Sequence, residues 1–488
     1  MKRYLKQWPV YLLLLSLFFV LHGFTENYNY IPAADAALLF LAYVAASIVL
    51  ASIFWLVYRN ISRASLLAFL CMFFFFFFGY IYDSINDLAP RSFFGKYSVL
   101  IGGFLLLLLT AAVVLLRWRK SMQRLNHVLN VFFLLLLLVE VAGLVYKMAY
   151  YRPAAAVHLN QGLTVCNNCD KPDIYLILTD AYAGEAQLKE TMNFDNSRFL
   201  DSLRARGFHI PHSNSNYNYT PFSCASMLEM DYLPGLEKSN TSHRDLAKCY
   251  QYLDRNAVTG FLKMHGYTLH NFSIFDMWGQ PSIVKETILP ARTKFITAQT
   301  LFSRLYTNAI FNMAGNFSFL RDERLYYSLK SNNRALDSIK RVSSHNTGNP
   351  RFVYAHLIMP HYPYYFDKEG RQRVAEEIYD GKELDIEKYL EYLQYTNRVL
   401  LSLVDEIRAG SSKPPVIILV ADHGFREYPE PVDPKYQFNN LLAVHLPNKK
   451  YSAFYDSISN VNVFRMLLNS QFNQRLSPLK DSTIFIEP

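Results

Sequence analysis

The chain has 488 residues, 51% hydrophobic and 16% aromatic, with a formal net charge of +9, enough for a membrane anchor and one large domain. Residues 1–150 carry 12 Lys/Arg against 5 Asp/Glu, and the remainder 37 against 35, so the basic surplus sits where the long apolar runs are. With no basic stripe interleaved with aromatics and no nucleic-acid motif, the charge argues for anionic lipid and topology and excludes a nucleic-acid partner.

Five segments, near 8–24, 34–57, 65–82, 97–116 and 127–146, approach the 20 or so apolar residues that cross a bilayer. The third holds six consecutive phenylalanines, Phe73 to Phe78, and the fourth a leucine run from Leu105 to Leu109. The first follows Lys2, Arg3 and Lys6 as a signal peptide would. It leads into LHGFTENY with no small-residue cleavage pattern, so it reads as a retained helix. Basic residues gather at the N-terminus, at Arg59 and Arg63, and at Arg117, Arg119, Lys120 and Arg124. The alternate loops hold only Arg91 and Lys96, beside Asp83 and Asp87. This asymmetry places the N-terminus in the cytoplasm and, after five spans, everything beyond about residue 148 outside. Glu140 falls within the fifth span, where a carboxylate needs a partner or a proton.

The expected organisation is therefore a five-helix transmembrane domain over 1–148, a juxtamembrane linker over 149–171, and an extracytoplasmic domain over 172–488. Cys71 lies in a span; Cys166, Cys169, Cys224 and Cys249 lie outside. An oxidising compartment favours a Cys166–Cys169 disulfide. CNNC spacing also suits half a metal site or a redox pair, but no second CxxC follows, and a structural clasp is preferred.

Beyond the linker, apolar runs alternate with amphipathic stretches. Strands are expected at 173–179, at FHI (208–210), at YTLHNFSI, at 351–357 and at 415–421. Helices are expected near 195–206, 221–230, 256–264 and 384–408. Continuous apolar strands alternating with helices predict an α/β domain with a mostly parallel central sheet covered by helices on both faces. Ligands of such sheets bind beyond the carboxyl ends of the strands. There DIYLILT runs into Asp180, RFVYAHL carries His356 and leads to His361, and PVIILVA runs into Asp422 and His423. In NYTPFSCASM, Pro221 suits the first helical position, which makes Thr220 the expected N-cap, its hydroxyl at the positive end of a helix dipole.

With these residues the soluble half resembles the alkaline phosphatase/sulfatase superfamily over about residues 171–445. PDIYLILTDAY is similar to its opening strand and first metal-binding acid, TPFSCASML to the signature that begins with the nucleophile, and ADHGF to the late Asp–His ligand pair. Five spans before such a domain resemble the branch of lipoteichoic acid synthases and phosphoethanolamine transferases. The resemblance implies that Asp180, Thr220, Asp422 and His423 hold one divalent metal ion, Zn or Mn, that Thr220 is the nucleophile, and that His361 and His356 bind substrate phosphate. It implies a multi-pass cytoplasmic-membrane protein with a periplasmic or extracellular catalytic domain. It also implies a phosphotransferase that moves a head-group phospho-substituent from a membrane phospholipid donor to an envelope glycan, lipid or polymer acceptor. The alternatives are a phosphodiesterase using water and a non-catalytic lipid-sensing protein with a hydrolase-like domain. Two departures matter. Threonine cannot become the formylglycine of sulfatases, which argues against sulfate-ester hydrolysis. Ala181 follows Asp180 where many members place a second acid, which argues for one metal.

Tyr362, Tyr364 and Tyr365 in PHYPYY suggest an aromatic lip beside a lipid donor, with plain packing as the competing reading.

Overall fold

The computed structural model describes residues 2–487 apart from 29, 90–91, 119, 151–161, 236–242, 284–290, 306–324, 346–347 and 379–384. Residues 151–161 of the expected 149–171 linker lie outside the described residues. The chain divides into two compact units, one of residues 1–152 with 286–321, the other of 153–285 with 322–488.

In the first unit, helices α1 (Tyr11–Glu26), α2 (Ala33–Tyr58), α3 (Ile61–Leu88), α4 (Tyr97–Arg117) and α5 (Gln123–Tyr150) stand where the apolar runs predict them. Four of them, α2 to α5, are long and apolar enough to cross a membrane; α1, at 16 residues, is shorter. These helices mark a membrane anchor. Lys2–Gln7, ahead of the expected first span, forms a separate short helix.

Within the phenylalanine run of α3, Phe74, Phe76 and Phe78 are buried while Phe73 is exposed. Phe76 stacks on Phe19 with centroids 4.4 Å apart. Two polar side chains between these helices find partners of the kind apolar surroundings favour. Asn130 accepts from the Tyr11 amide at 2.6 Å, and Glu140 meets His22 at 2.9 Å, which gives the intramembrane carboxylate its partner.

One stretch from the later half of the chain belongs to this unit. Around Lys294–Thr297, Ile296 sits where a Cβ on Gly23 would approach it to 2.9 Å, and Phe295 meets Tyr30 edge-on at 4.9 Å. The Gly79 amide donates to the Gln299 carbonyl at 2.8 Å, and Arg304 pairs with Asp83.

The second unit is built on a five-stranded sheet in the order β3-β4-β1-β5-β7: β3 (Thr268–Phe272), β4 (Arg351–Pro360), β1 (Ile174–Asp180), β5 (Val416–Ala421) and β7 (Leu442–His445). The first four are parallel and only the edge strand β7 runs antiparallel. The two-residue strands β2 (Ser213–Asn214), β6 (Asn439–Asn440) and β8 (Ile458–Ser459) form a separate small sheet.

The strand period of two explains why the central strands are apolar throughout. Ile174, Leu176, Leu178, Ile418 and Val420 face a core with α7 (Thr220–Glu229), α8 (Ala257–Met264) and α11 (Asn460–Phe472). Tyr175, Ile177, Val353, Ile417 and Leu419 face a second core with α6 (Ser197–Ala205), α9 (Tyr327–Ser344) and α10 (Ile386–Gly410).

The expected strand at 208–210 reduces to a single antiparallel bridge between His209 and Val444. Pro211 follows, with no amide to extend a ladder.

Candidate functional site

Strand register assembles the site. Thr179 of β1 lies opposite Ala421 of β5, so the next residues, Asp180 and Asp422, emerge side by side at the carboxyl edge of the sheet. On the other flank β4 pairs Leu178 with His356; the register then slips, and Asp180 faces Pro360. Beyond Asp180 the chain turns sharply: Ala181 has φ of +57°, a conformation that costs a non-glycine residue roughly 1–2 kcal/mol. That turn lets its amide donate to Asp422 Oδ1 at 3.1 Å. The same oxygen accepts the His423 amide at 2.8 Å, so one carboxylate oxygen is fixed by the backbone while Oδ2 is left open.

Thr220 differs from the expectation by one position. The helix N-cap is Tyr219, Thr220 is the first helical residue, and the threonine hydroxyl makes no capping bond. It stands instead 3.4 Å from His423 Nε2. That imidazole donates Nδ1–H to the Gly424 carbonyl at 2.7 Å, which leaves Nε2 with a lone pair facing the site. Ser223, one turn along α7, donates to the Asp422 carbonyl at 2.5 Å, locking the helix to the β5 end. Gly424 permits the tight course after His423: a Cβ there would sit 2.5 Å from Asn439 O, Gln187 Oε1 and Tyr436 O.

The remaining separations describe a compact ring of donors. His423 Nε2 lies 3.3 Å from Asp422 Oδ2 and 3.9 Å from Asp180 Oδ1, and His356 Nε2 lies 3.5 Å from Asp180 Oδ2. Donor atoms of Asp180, His356 and Asp422 all fall within 4.8 Å of one another. A tetrahedral ion with nitrogen and oxygen ligands at about 2.0–2.2 Å sets those ligands roughly 3.4 Å apart. Asp180 Oδ1, Asp422 Oδ2 and both ring nitrogens of His356 are buried without a hydrogen-bond partner. Unsatisfied buried carboxylate oxygens are costly, and a divalent cation satisfies them. The residues therefore fit a metal ion, and their mixed nitrogen and oxygen chemistry suits Zn or Mn.

Electrostatics agree. Burial alone would raise the Asp180 pKa, but His361, His356 and His423 outweigh it and hold the carboxyl well below its usual range. Burial lowers the pKa of His423, with Arg426 acting in the same direction against Asp422 and Asp180, so the ring is neutral and competent to ligate. Burial also works against a charge on His361, yet Asp180, Glu427 and the Tyr362 carbonyl together raise its pKa.

All six residues singled out from sequence come from one sheet edge and the helix beside it, but their arrangement is not the expected one throughout. His356, expected at substrate, lies in the buried Asp180–Asp422 cluster. His361 lies further out, part-exposed, 3.7 Å from Glu427. Tyr364 and Tyr365 are fully buried and form core, not an aromatic lip. Ser223 and Arg426 escape sequence reading because neither has spacing or composition to mark it. The Cys166–Cys169 disulfide is present; Asn473 approaches its sulfurs, and His265 accepts the Cys166 amide at 2.9 Å.

Buried acids and histidines thus gather at the carboxyl ends of parallel strands in an α/β domain that follows a set of apolar helices. The family model described as Sulfatase matches residues 183–466, and the chain belongs to that family. No curated protein sequence matches it. Among solved structures, the C-terminal periplasmic domain of Escherichia coli EptC in complex with Zn is similar at 12% identity and a TM-score of 0.38, over 63% of this chain and 85% of that one. The corresponding domain of the phosphoethanolamine transferase EptC from Campylobacter jejuni is similar at 16% identity and 0.36, over 64% and 93%. The phosphonate monoester hydrolase of Agrobacterium radiobacter is similar at 12% and 0.39, over 61% and 73%.

Proposed function

We propose that this protein is a metal-dependent phosphotransferase that moves the phospho-substituent of a phospholipid head group to a cell-envelope acceptor, with Thr220 as nucleophile. In this reading the protein crosses the membrane five times with its N-terminus in the cytoplasm, and residues 172 onward work outside. The observation that carries it is the Thr220 hydroxyl, first in its helix yet unused for capping, 3.4 Å from His423 Nε2 and beside the buried acids.

Asp180, Asp422 and His423 would hold one divalent ion, together with Thr220 and, from its place in the cluster, His356. When bound, such an ion lowers the pKa of a hydroxyl and neutralises charge on a phosphoryl group. The chain does the rest. The α7 N-terminus directs its amides and dipole at the incoming anion. Thr220 Oγ1, deprotonated before the attack, forms a bond to phosphorus as the bond to the diacylglycerol oxygen breaks, and it leaves as the same alkoxide in the second step. His361, its pKa raised by Asp180 and Glu427, supplies the proton that oxygen needs. An acceptor hydroxyl then attacks the phosphothreonine, its proton passes to His361, and Thr220 is restored. With threonine in place of a formylglycine precursor, sulfate esters are not the substrate.

The test is diacylglycerol release by the full-length protein in detergent, with fluorescent phosphatidylethanolamine or phosphatidylglycerol and added Mn²⁺ or Zn²⁺. Parent protein releases diacylglycerol; Thr220→Ala, which loses no cap, folds and releases none. Full release by the variant would remove Thr220 from the chemistry. Release that proceeds equally with and without any acceptor would make water the acceptor and the enzyme a phosphodiesterase.

A further inference from the structure

Arg426 sits beside the nucleophile with its charge unanswered. It lies three residues beyond His423, whose Nε2 faces Thr220. From there its NH1 donates to the carbonyl of Asn218 at 2.7 Å, and its guanidinium lies over the ring of Tyr219, 5.9 Å from the centroid. Arg426 is thus braced on the two residues that immediately precede Thr220. The brace is rigid: buried Asn218 accepts the Ile486 amide at 2.7 Å, and its side-chain nitrogen donates to the Ile486 carbonyl at 3.1 Å.

A guanidinium has five N–H donors, and only one of these makes a hydrogen bond among the described residues. No carboxylate of the described residues pairs with it. Its neighbour Glu427 points to His361 instead. Half-buried arginine is normally paired with an acid, because desolvating a lone charge is costly, and a divalent cation close by adds repulsion. A negatively charged group that arrives can fill the open fork, and arginine's planar donors match two phosphoryl oxygens at once.

We propose that Arg426 is a substrate-binding residue of this site, gripping the non-bridging oxygens of the phosphodiester that Thr220 attacks. This rests on the transferase reading above and deepens it by making the substrate a phosphodiester anion held by a forked contact. Arg426 receives and gives no proton; it orients the phosphorus and neutralises its oxygens.

The test uses the full-length metal-loaded protein in detergent and two readouts: inorganic phosphate affinity, read from the shift in melting temperature, and KM for diacylglycerol release. Arg426→Met keeps the length of the side chain without charge or donors. Loss of charge-assisted hydrogen bonds predicts a phosphate Kd and a KM both raised about 10- to 100-fold, with bound metal unchanged. Arg426→Lys restores charge without the fork and recovers only part of the loss. Phosphate affinity and KM like the parent's in Arg426→Met would overturn the assignment. Should that variant lose its metal or its fold, Arg426→Lys decides: parental phosphate affinity there overturns the forked contact, and a reduced one supports it. Phosphate binding that depends on Arg426, in a protein that releases no diacylglycerol, would leave the anion site standing and retire the transferase reading alone.

Discussion

Helix α7 carries Thr220 at one end and, at the other, an acid that keeps its proton. Glu229 is 2% exposed, and its Oε2 accepts the Ala257 amide at 3.1 Å, joining the foot of α7 to the start of α8. Burial pushes its carboxyl up from 4.5 to about 8; the Ala257 amide opposes this and Asp231 adds to it. A carboxylate at a helix C-terminus is disfavoured by the dipole as well. The folded protein therefore keeps a proton that the unfolded chain releases. The resulting stability is complete below the unfolded value of 4.5 and is lost as pH rises to about 8. Within that window each pH unit removes about 1.4 kcal/mol, so between pH 5.5 and 7.5 the loss is roughly 2.5 kcal/mol. Glu229→Gln keeps an acceptor for Ala257 and has no proton to lose. At about 2 °C per kcal/mol, the melting temperature of the parent should fall on the order of 5 °C relative to Glu229→Gln across that range. Two curves that stay parallel would refute the reasoning.

Gly424→Ala forces a Cβ against three oxygens at 2.5 Å, two of them backbone, so the turn after His423 must shift. Stability should fall by about 1–3 kcal/mol, with a clear loss of bound metal by elemental analysis. His356→Gln keeps the volume of a buried side chain while removing imidazole ligation; metal affinity should drop by at least tenfold in a chelator competition with the melting temperature little changed. Unaltered affinity would return His356 to a packing role.

The legible parts of this molecule are those where one residue type has one physical use. A buried parallel strand must be apolar along its whole length, so DIYLILT and PVIILVA announce themselves, and the polar residues that end them, Asp180, Asp422 and His423, mark the functional edge. His356 carried the same signal from within a strand otherwise suited to burial, but letters alone do not say that register brings it to Asp180. Pro221 located the α7 N-terminus, yet proline suits either of the first two helical positions, and the difference decides whether the threonine hydroxyl caps a helix or faces a histidine. Tyr364 and Tyr365 show the limit of composition: a tyrosine-rich loop reads alike whether its rings line a surface or fill a core. Arg426 was invisible because its meaning lies in the acid it lacks.

The stretch around Lys294–Thr297 has no long apolar run and reads as part of the soluble half, yet its side chains find their partners among the N-terminal helices. A single proteolytic cut between α5 and β1 would therefore not release the later half cleanly, since Ile296 and Phe295 still grip Gly23 and Tyr30. A protein begun at residue 172 would lack Gly23 and Tyr30, the N-terminal partners of those two side chains. Deleting the stretch along with the anchor would remove both sides of that contact together.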